Sequence, residues 1–227
     1  MIYPNIREAV FLRRPNRFIA MAELDGAETV CHVKNTGRCR ELLVPGARVY
    51  LQRAENPLRK TAWDLIAVQK GERLINMDAA APNTVFGEWL RAGGASFVPE
   101  LLRPECVHGD SRFDFYLEDG GRRIFAEVKG VTLEKDGVVR FPDAPTERGV
   151  KHLRGLAQAV KEGYEAWAVF VIQMADVHHF EPNRATHPAF ADALREASEA
   201  GVRLLALDCS VTPESLAIRQ EVPIRLI

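Results

Sequence analysis

Residues 111–133 read S-R-F-D-F-Y-L-E-D-G-G-R-R-I-F-A-E-V-K-G-V-T-L, and the reading of this stretch organises the rest of the chain. Two runs of alternating apolar and polar residues flank Asp119-Gly120-Gly121, the pattern of a β-hairpin. In the first run Phe113, Phe115 and Leu117 share one face, which places Asp114 on the other face with Tyr116. In the second, a period of two puts Glu127 and Lys129 on one face, roughly 6–7 Å apart, with Ala126 and Val128 facing away. A carboxylate from one strand therefore meets a carboxylate and a lysine from its neighbour.

That trio has a specific chemical capacity. Two carboxylates from different strands hold Mg²⁺, or Mn²⁺, while leaving octahedral positions for water and a phosphate oxygen. A cation there polarises a phosphodiester and lowers the pKa of an attacking water. Lys129, a compact cation beside that water, orients it or offsets charge growing on the phosphate. The alternative is an edge hairpin with a solvated polar face, in which Glu127–Lys129 is a surface ion pair worth about 0–1 kcal/mol.

At 227 residues the chain has room for one large domain or two modest ones. Its hydrophobic content of 47% and charged content of 27% are those of an ordinary globular protein. No apolar run reaches the ~18 residues of a membrane helix, and charged residues occupy the beginning of the chain, so a cytoplasmic protein is expected. Cys31, Cys39, Cys106 and Cys209 lack C-x-x-C spacing and read as small buried residues. A zinc cluster at Cys31, His32 and Cys39 has the wrong ligand spacing. The net charge of −1 conceals an asymmetry, because residues 1–75 carry thirteen Lys/Arg against eight Asp/Glu. Such a segment suits a polyanion-binding module, with unevenly spread solvation charge as the alternative.

Within that basic segment, short strands are expected at 8–13, 17–24, 29–34, 48–52, 63–70 and 73–75, separated by Pro15-Asn16, Asp25-Gly26, Asn35-Thr36-Gly37 and Pro45-Gly46. Short strands and one helical turn fit an OB-like Greek-key barrel, and an SH3-like barrel fits nearly as well. Arg13, Arg14, Arg17, Lys34, Arg38 and Arg40 gather at strand ends and turns, where they suit phosphate contacts. Phe18 alternates with Ala20, Ala22 and Leu24, which argues for a core position rather than a base-stacking one.

A boundary falls at 76–83, giving domains 1–78 and 79–227. Helix 84–92, capped by Asn83 or Thr84, carries Glu88 as a further candidate metal ligand. A strand at 103–108 precedes the hairpin, and a stiff Pro142–Pro145 loop leads into helix 147–162. There an apolar stripe through Val150, Leu153, Leu156 and Val160 sets Glu147, Arg148, Lys151 and His152 on the opposite side. Arg148 and Lys151 suit a phosphate backbone; Glu147 and His152 are supporting candidates. Strand 166–173 is apolar throughout, as if covered on both faces, and ends in the polar Gln173. Helix 188–200 and strand 202–207 close a mixed α/β sheet flanked by helices.

Taken together, R-F-D-F-Y-L (112–117), A-E-V-K-G-V-T-L (126–133) and F-P-D-A-P-T-E-R-G-V-K-H-L (141–153) resemble the sugar fermentation stimulation protein A family. R-R-P-N-R-F-I-A (13–20), N-T-G-R (35–38) and V-T-P-E (211–214) extend the resemblance over nearly the whole chain. Its carboxylate and lysine arrangement is similar to that of the PD-(D/E)XK nuclease superfamily, whose motif falls on Asp114, Glu127 and Lys129. Phe113 stands where that motif has proline. The resemblance implies an OB-like barrel followed by a nuclease-like domain, DNA as partner, and a Mg²⁺-dependent nuclease. The alternative is a non-catalytic DNA-binding regulator of sugar, particularly maltose, metabolism, over which the intact D…E-x-K trio favours the enzyme.

Overall fold

The computed structural model describes residues 1–35, 37–56 and 58–226. Thr36, named in the expected turn and in the N-T-G-R motif, lies outside the described residues.

Strands β1 (Ile6–Asn16), β2 (Ile19–Leu24), β3 (Ala27–Val33), β4 (Arg48–Arg53), β5 (Trp63–Lys70) and β6 (Arg73–Asn76) build the first unit. They hydrogen-bond in the order β3-β2-β1-β4-β5-β6, and a parallel β3–β5 pairing closes β1–β5 into a barrel. Closure removes the exposed edges that a five-stranded sheet of this size would otherwise present. Alternation fills the lumen: Ala9 and Phe11 of β1, Ala20 and Ala22 of β2, and Val49 and Leu51 of β4 are all buried. Phe18 departs from the expected core position. It precedes β2 and stays 44% exposed, so the alternation begins only at Ala20.

The second unit runs α1 (Ala81–Arg91), β7 (Leu101–His108), β8 (Ser111–Asp119), β9 (Arg122–Val131), β10 (Leu133–Lys135), β11 (Val138–Phe141), α2 (Glu147–Lys161), β12 (Glu165–Ile172), β13 (His179–Pro182), α3 (Pro188–Glu199), β14 (Arg203–Thr212) and β15 (Ser215–Glu221). Its main sheet has the order β15-β14-β12-β9-β8-β7, parallel across β9–β12–β14 and antiparallel at both edges. The β8–β9 hairpin turns on Gly120 and Gly121, both at positive φ (53° and 80°), the backbone a two-residue hairpin loop requires. α1 covers one face of β9 through Val85, Phe86 and Leu90, which cluster with Ile124, Ala126 and Val128. α2 covers the other through Val150, Leu153 and Leu156, clustered with Phe113 and Phe125. The middle of β9 is thus buried on both faces, Glu127 included, a consequence of its central place in the sheet, while Arg122, Arg123 and Lys129 keep contact with solvent.

α1 begins three residues before the expected start. Pro82 sits in its first turn, where a missing N–H costs nothing, and no side chain caps it. α2 starts as capping rules dictate, with the Thr146 hydroxyl accepting from the Gly149 amide at 3.1 Å, a cap worth about 1 kcal/mol.

The two units are joined by polar bonds as well as by chain. Residues 1–3 cross to the second unit: the Tyr3 amide donates to the Glu214 carbonyl and the Leu216 amide to that of Met1. Gln173, the polar end of the apolar strand expected at 166–173, is buried at the junction, donating to Asn76 Oδ1 (2.9 Å) and to the Asp78 carbonyl (3.0 Å). Buried Glu134 accepts from barrel residues Lys70 (2.7 Å) and Arg73 (2.9 Å) and from the Gly137 amide (2.6 Å). Burial alone would raise its pKa, but Lys70, the Gly137 N–H and Arg73 hold it below the ordinary carboxylate range. Its contribution to stability is therefore present above the unfolded-chain value of about 4.3 and is lost as pH falls through the lower folded-state value. Glu134→Gln is expected to cost about 2 kcal/mol at pH 7, less than a fully buried broken pair because water reaches both cations. Urea denaturation should show that deficit at pH 7, narrowing below about pH 4.

Candidate functional site

At the open end of the β8–β9 pairing the ladder stops at Phe115↔Ala126, one residue short of Asp114 opposite Glu127. On its other side β8 pairs with β7 at Pro104↔Phe115 and Cys106↔Phe113, skipping Asp114 and Glu105, whose φ is +54°. The strand is therefore kinked at Asp114. Phe115 packs on Phe86 of α1 (5.6 Å between ring centroids), whereas Phe113 packs on Phe125 and the α2 side (5.3 Å). The expected common face of Phe113, Phe115 and Leu117 holds only for the last two, because Asp114 leaves the ladder between them. Its carboxylate takes the place of a backbone partner: Oδ2 accepts from the Val128 amide at 2.8 Å and Oδ1 from Asn83 Nδ2 at 2.9 Å.

Glu127 is buried on the α2 face of β9, at 4% exposure. Its Oε1 accepts from both Lys129 Nζ and His152 Nδ1, while its Oε2 is buried without any partner. Burial works to raise the Glu127 pKa, but the His152 donor and the Lys129 ammonium outweigh it and pull the carboxyl below its ordinary range. Asp114 shifts the other way, raised first by burial and next by the negative charge of Glu127. Two carboxylates that repel one another, one with an unsatisfied buried oxygen, form an arrangement that a cation between them would relax.

Among the described residues, no group of three His, Cys, Asp or Glu side chains is disposed to hold a metal ion. The donors this site would offer a cation are Asp114 and the free Oε2 of Glu127. This fits a hard divalent cation of the Mg²⁺ kind, which keeps several waters and takes few protein ligands. Glu88 is not part of it: its carboxylate receives the Met1 amino group at 2.6 Å. The α1 residue that reaches the site is Asn83, which the sequence suggested only as a helix cap.

His152 also lies elsewhere than expected. The helical stripe predicts it on the side of Glu147, Arg148 and Lys151, yet it is buried against β9, one turn beyond Gly149. Arg148 donates to its Nε2 at 3.3 Å, fixing the tautomer that presents Nδ1–H to Glu127. Glu147 is 87% exposed and meets His187 Nε2 at 3.2 Å. Lys151 is exposed on the same helix turn.

The barrel cations divide into committed and uncommitted groups. Arg13 makes a two-point pair with Glu28, at 2.6 Å for each bond. Lys34 is bound to the fully buried Asp78. Arg14 turns inward and donates to the carbonyls of Arg17, Asn35, Gly37 and Arg38 at 2.6–2.9 Å. These three are occupied in structural roles, which sequence position could not show. Arg17, Arg38 and Arg40 line one recess at the barrel end. That loop touches the second unit, where the Arg38 amide donates to Asp143 Oδ2 at 3.3 Å, just ahead of α2.

No helix among the described residues is long and apolar enough to cross a membrane. Residues 12–77 match the family model for the SfsA N-terminal OB domain, and residues 80–215 that for the sugar fermentation stimulation protein RE domain. A sugar fermentation stimulation protein homolog of Desulfitobacterium hafniense (strain Y51) is 60% identical over all of this chain and 99% of its own length. One from Clostridium beijerinckii is 55% identical with both chains fully covered. The structure of Pyrococcus furiosus SfsA in complex with Ca²⁺ superposes with a TM-score of 0.89 at 26% identity, covering 99% of this chain and 98% of that one. Barrel, nuclease-like sheet and full-length relatives agree that this chain belongs to the sugar fermentation stimulation protein (SfsA) family.

Proposed function

We propose that this protein is a Mg²⁺-dependent nuclease that hydrolyses phosphodiester bonds in DNA, gripping the strand without sequence preference through its barrel and α2. The single observation that supports this most is the buried, partnerless Oε2 of Glu127 beside Asp114. A pure DNA binder gains nothing from two carboxylates turned towards a polyanion, and an unsatisfied buried oxygen is costly unless a ligand completes it. The Ca²⁺ named with the Pyrococcus relative supports a divalent cation in the same fold.

When bound, the ion would polarise the scissile phosphate and acidify water. The chain's own groups divide the remaining work. Asp114 and Glu127 would hold the ion; Asn83 and the Val128 amide hold Asp114, and His152 holds Glu127. Lys129, beside Glu127, stands where it can orient a water and offset charge developing on the phosphate oxygens. Arg148 and Lys151 on the adjoining turn suit the flanking phosphates.

Incubating the purified protein with plasmid, single-stranded DNA and RNA, each with Mg²⁺, Mn²⁺ or EDTA, tests this reading. Cleavage is expected with either metal and none with EDTA; intact substrates throughout would leave the regulator of sugar metabolism as the better account. Binding itself should weaken steeply with salt. Arg148→Ala with Lys151→Ala should lower the slope of log K against log salt by up to roughly 1.8 on duplex DNA, about 0.9 per lost phosphate contact. An unchanged slope would remove α2 from the DNA path.

A further inference from the structure

The recess at the barrel end has a volume of about 390 Å³ and is lined by Arg14, Asn16, Arg17, Gly37, Arg38, Arg40 and Leu43, with no acidic side chain. Elsewhere on the barrel, four exposed arginines are paired with carboxylates, Arg7 with Asp25, Arg13 with Glu28, Arg48 with Glu8 and Arg59 with Asp64, while Arg53 is exposed at the end of β4. Among the described residues, Arg17, Arg38 and Arg40 have no carboxylate partner; Arg17 only lies over the Phe18 ring, 4.8 Å from its centroid. Three arginines without an ion-pair partner thus line one recess, and the Asp143 carboxylate behind Gly37 is engaged by the Arg38 backbone amide rather than by a guanidinium.

The walls of the recess are pinned before any ligand arrives. Arg14 ties the two together, donating to the Arg17 carbonyl on one side and to those of Asn35, Gly37 and Arg38 on the other. Asn16 Oδ1 accepts from the Phe18 and Ile19 amides at 2.9 and 3.0 Å, fixing the turn that carries Arg17. Asn35 Oδ1 accepts from the Gly37 amide at 2.8 Å, and Asp143 braces the Arg38 amide from the far side. Gly37 lets Asp143 come close, since a Cβ there would stand 2.6 Å from Asp143 Oδ2 and one of the two would have to shift. A half-buried arginine bound to four carbonyls thus holds the backbone from which three exposed arginines project, which lowers the ordering cost of binding an anion.

We infer that this recess binds a terminal phosphomonoester of a nucleic-acid strand, so that the barrel recognises a strand end while the nuclease-like unit engages the adjoining strand. This rests on the nucleic-acid reading above and deepens it. A monoester carries up to two negative charges and three terminal oxygens, a better match to three forked guanidiniums than an internal diester with one charge and two free oxygens. The volume admits the phosphate with its attached sugar. The exposed Phe18 ring at the rim, 44% accessible, offers the neighbouring unstacked base an aromatic surface.

Fluorescence anisotropy in EDTA, where no cleavage intervenes, tests the inference with single-stranded 12-mers carrying a 5′-phosphate, a 3′-phosphate or hydroxyls at both ends. One phosphorylated end is expected to bind about tenfold or more tightly than the hydroxyl-ended strand, as charge-assisted hydrogen bonds of this kind imply. Arg38→Gln with Arg40→Gln should abolish that preference. On the wild-type protein, inorganic phosphate should erase it where chloride of equal ionic strength does not, a readout independent of how the variant folds. Equal binding of all three strands, or a preference that survives in the double variant, overturns the strand-end site while leaving the nuclease reading intact. Failure to bind any strand refutes the nucleic-acid reading itself and this inference with it.

Discussion

Glu127→Gln is expected to abolish both cation binding and metal-dependent cleavage, the latter by on the order of 10³-fold or more given what single electrostatic stabilisers contribute to catalysis. The substitution keeps the shape of the side chain, and an amide oxygen still accepts from Lys129 and His152. What is lost is the charge, together with the buried Oε2 that has no other partner. A readout separate from activity follows from linkage: wild-type protein at a hundredfold excess of Mg²⁺ over its dissociation constant gains about 2.7 kcal/mol. Thermal or chemical denaturation should show that gain in wild type and none in the variant. Lys129→Ala should keep most of the Mg²⁺ stabilisation and still cleave slowly, because an ammonium is not a ligand. A Glu127→Gln protein that remains both Mg²⁺-stabilised and active would remove Glu127 from the metal site.

Asp114→Asn should bind DNA more tightly than wild type when no metal is present, by roughly 1–3 kcal/mol, the range for a partly desolvated like-charge contact. The carboxylates that attract a cation repel phosphate without one. Asparagine fits the position, since its oxygen still accepts from the Val128 amide and Asn83 can turn its own amide to receive the new N–H donor. In Mg²⁺ the advantage should shrink, and only wild type should cut. The pH dependence has a definite sign. Because burial and Glu127 raise the Asp114 pKa, wild type carries a neutral Asp114 at pH values below that raised value, and there the two proteins should bind alike. The difference opens as pH rises through it. Identical anisotropy curves with and without metal at neutral pH would show that DNA never reaches Asp114.

The sequence by itself determined the barrel, the hairpin and the trio of Asp114, Glu127 and Lys129. Period-two alternation and glycine-bearing turns are local rules, and a hairpin with Gly120-Gly121 at its tip has its register set by that turn. Tertiary structure alone decided which polar residues serve the site. Helical periodicity assigned His152 to solvent, but α2 lies against a strand whose buried carboxylate needs a donor, and the unsatisfied partner outweighed the stripe. Asn83 on α1 met Asp114 because β8 leaves its ladder there, a kink that no alternation pattern announces. Glu88, Gln173, Lys34 and Arg14 have the residue types of a metal or phosphate site, yet each is held by a partner distant in sequence: Met1, Asn76, Asp78 and the carbonyls of Asn35, Gly37 and Arg38. Residue type fixes what a side chain is able to bind. Which of the available partners it takes depends on charges and backbone groups that only folding brings within about 3 Å, where hydrogen bonds form.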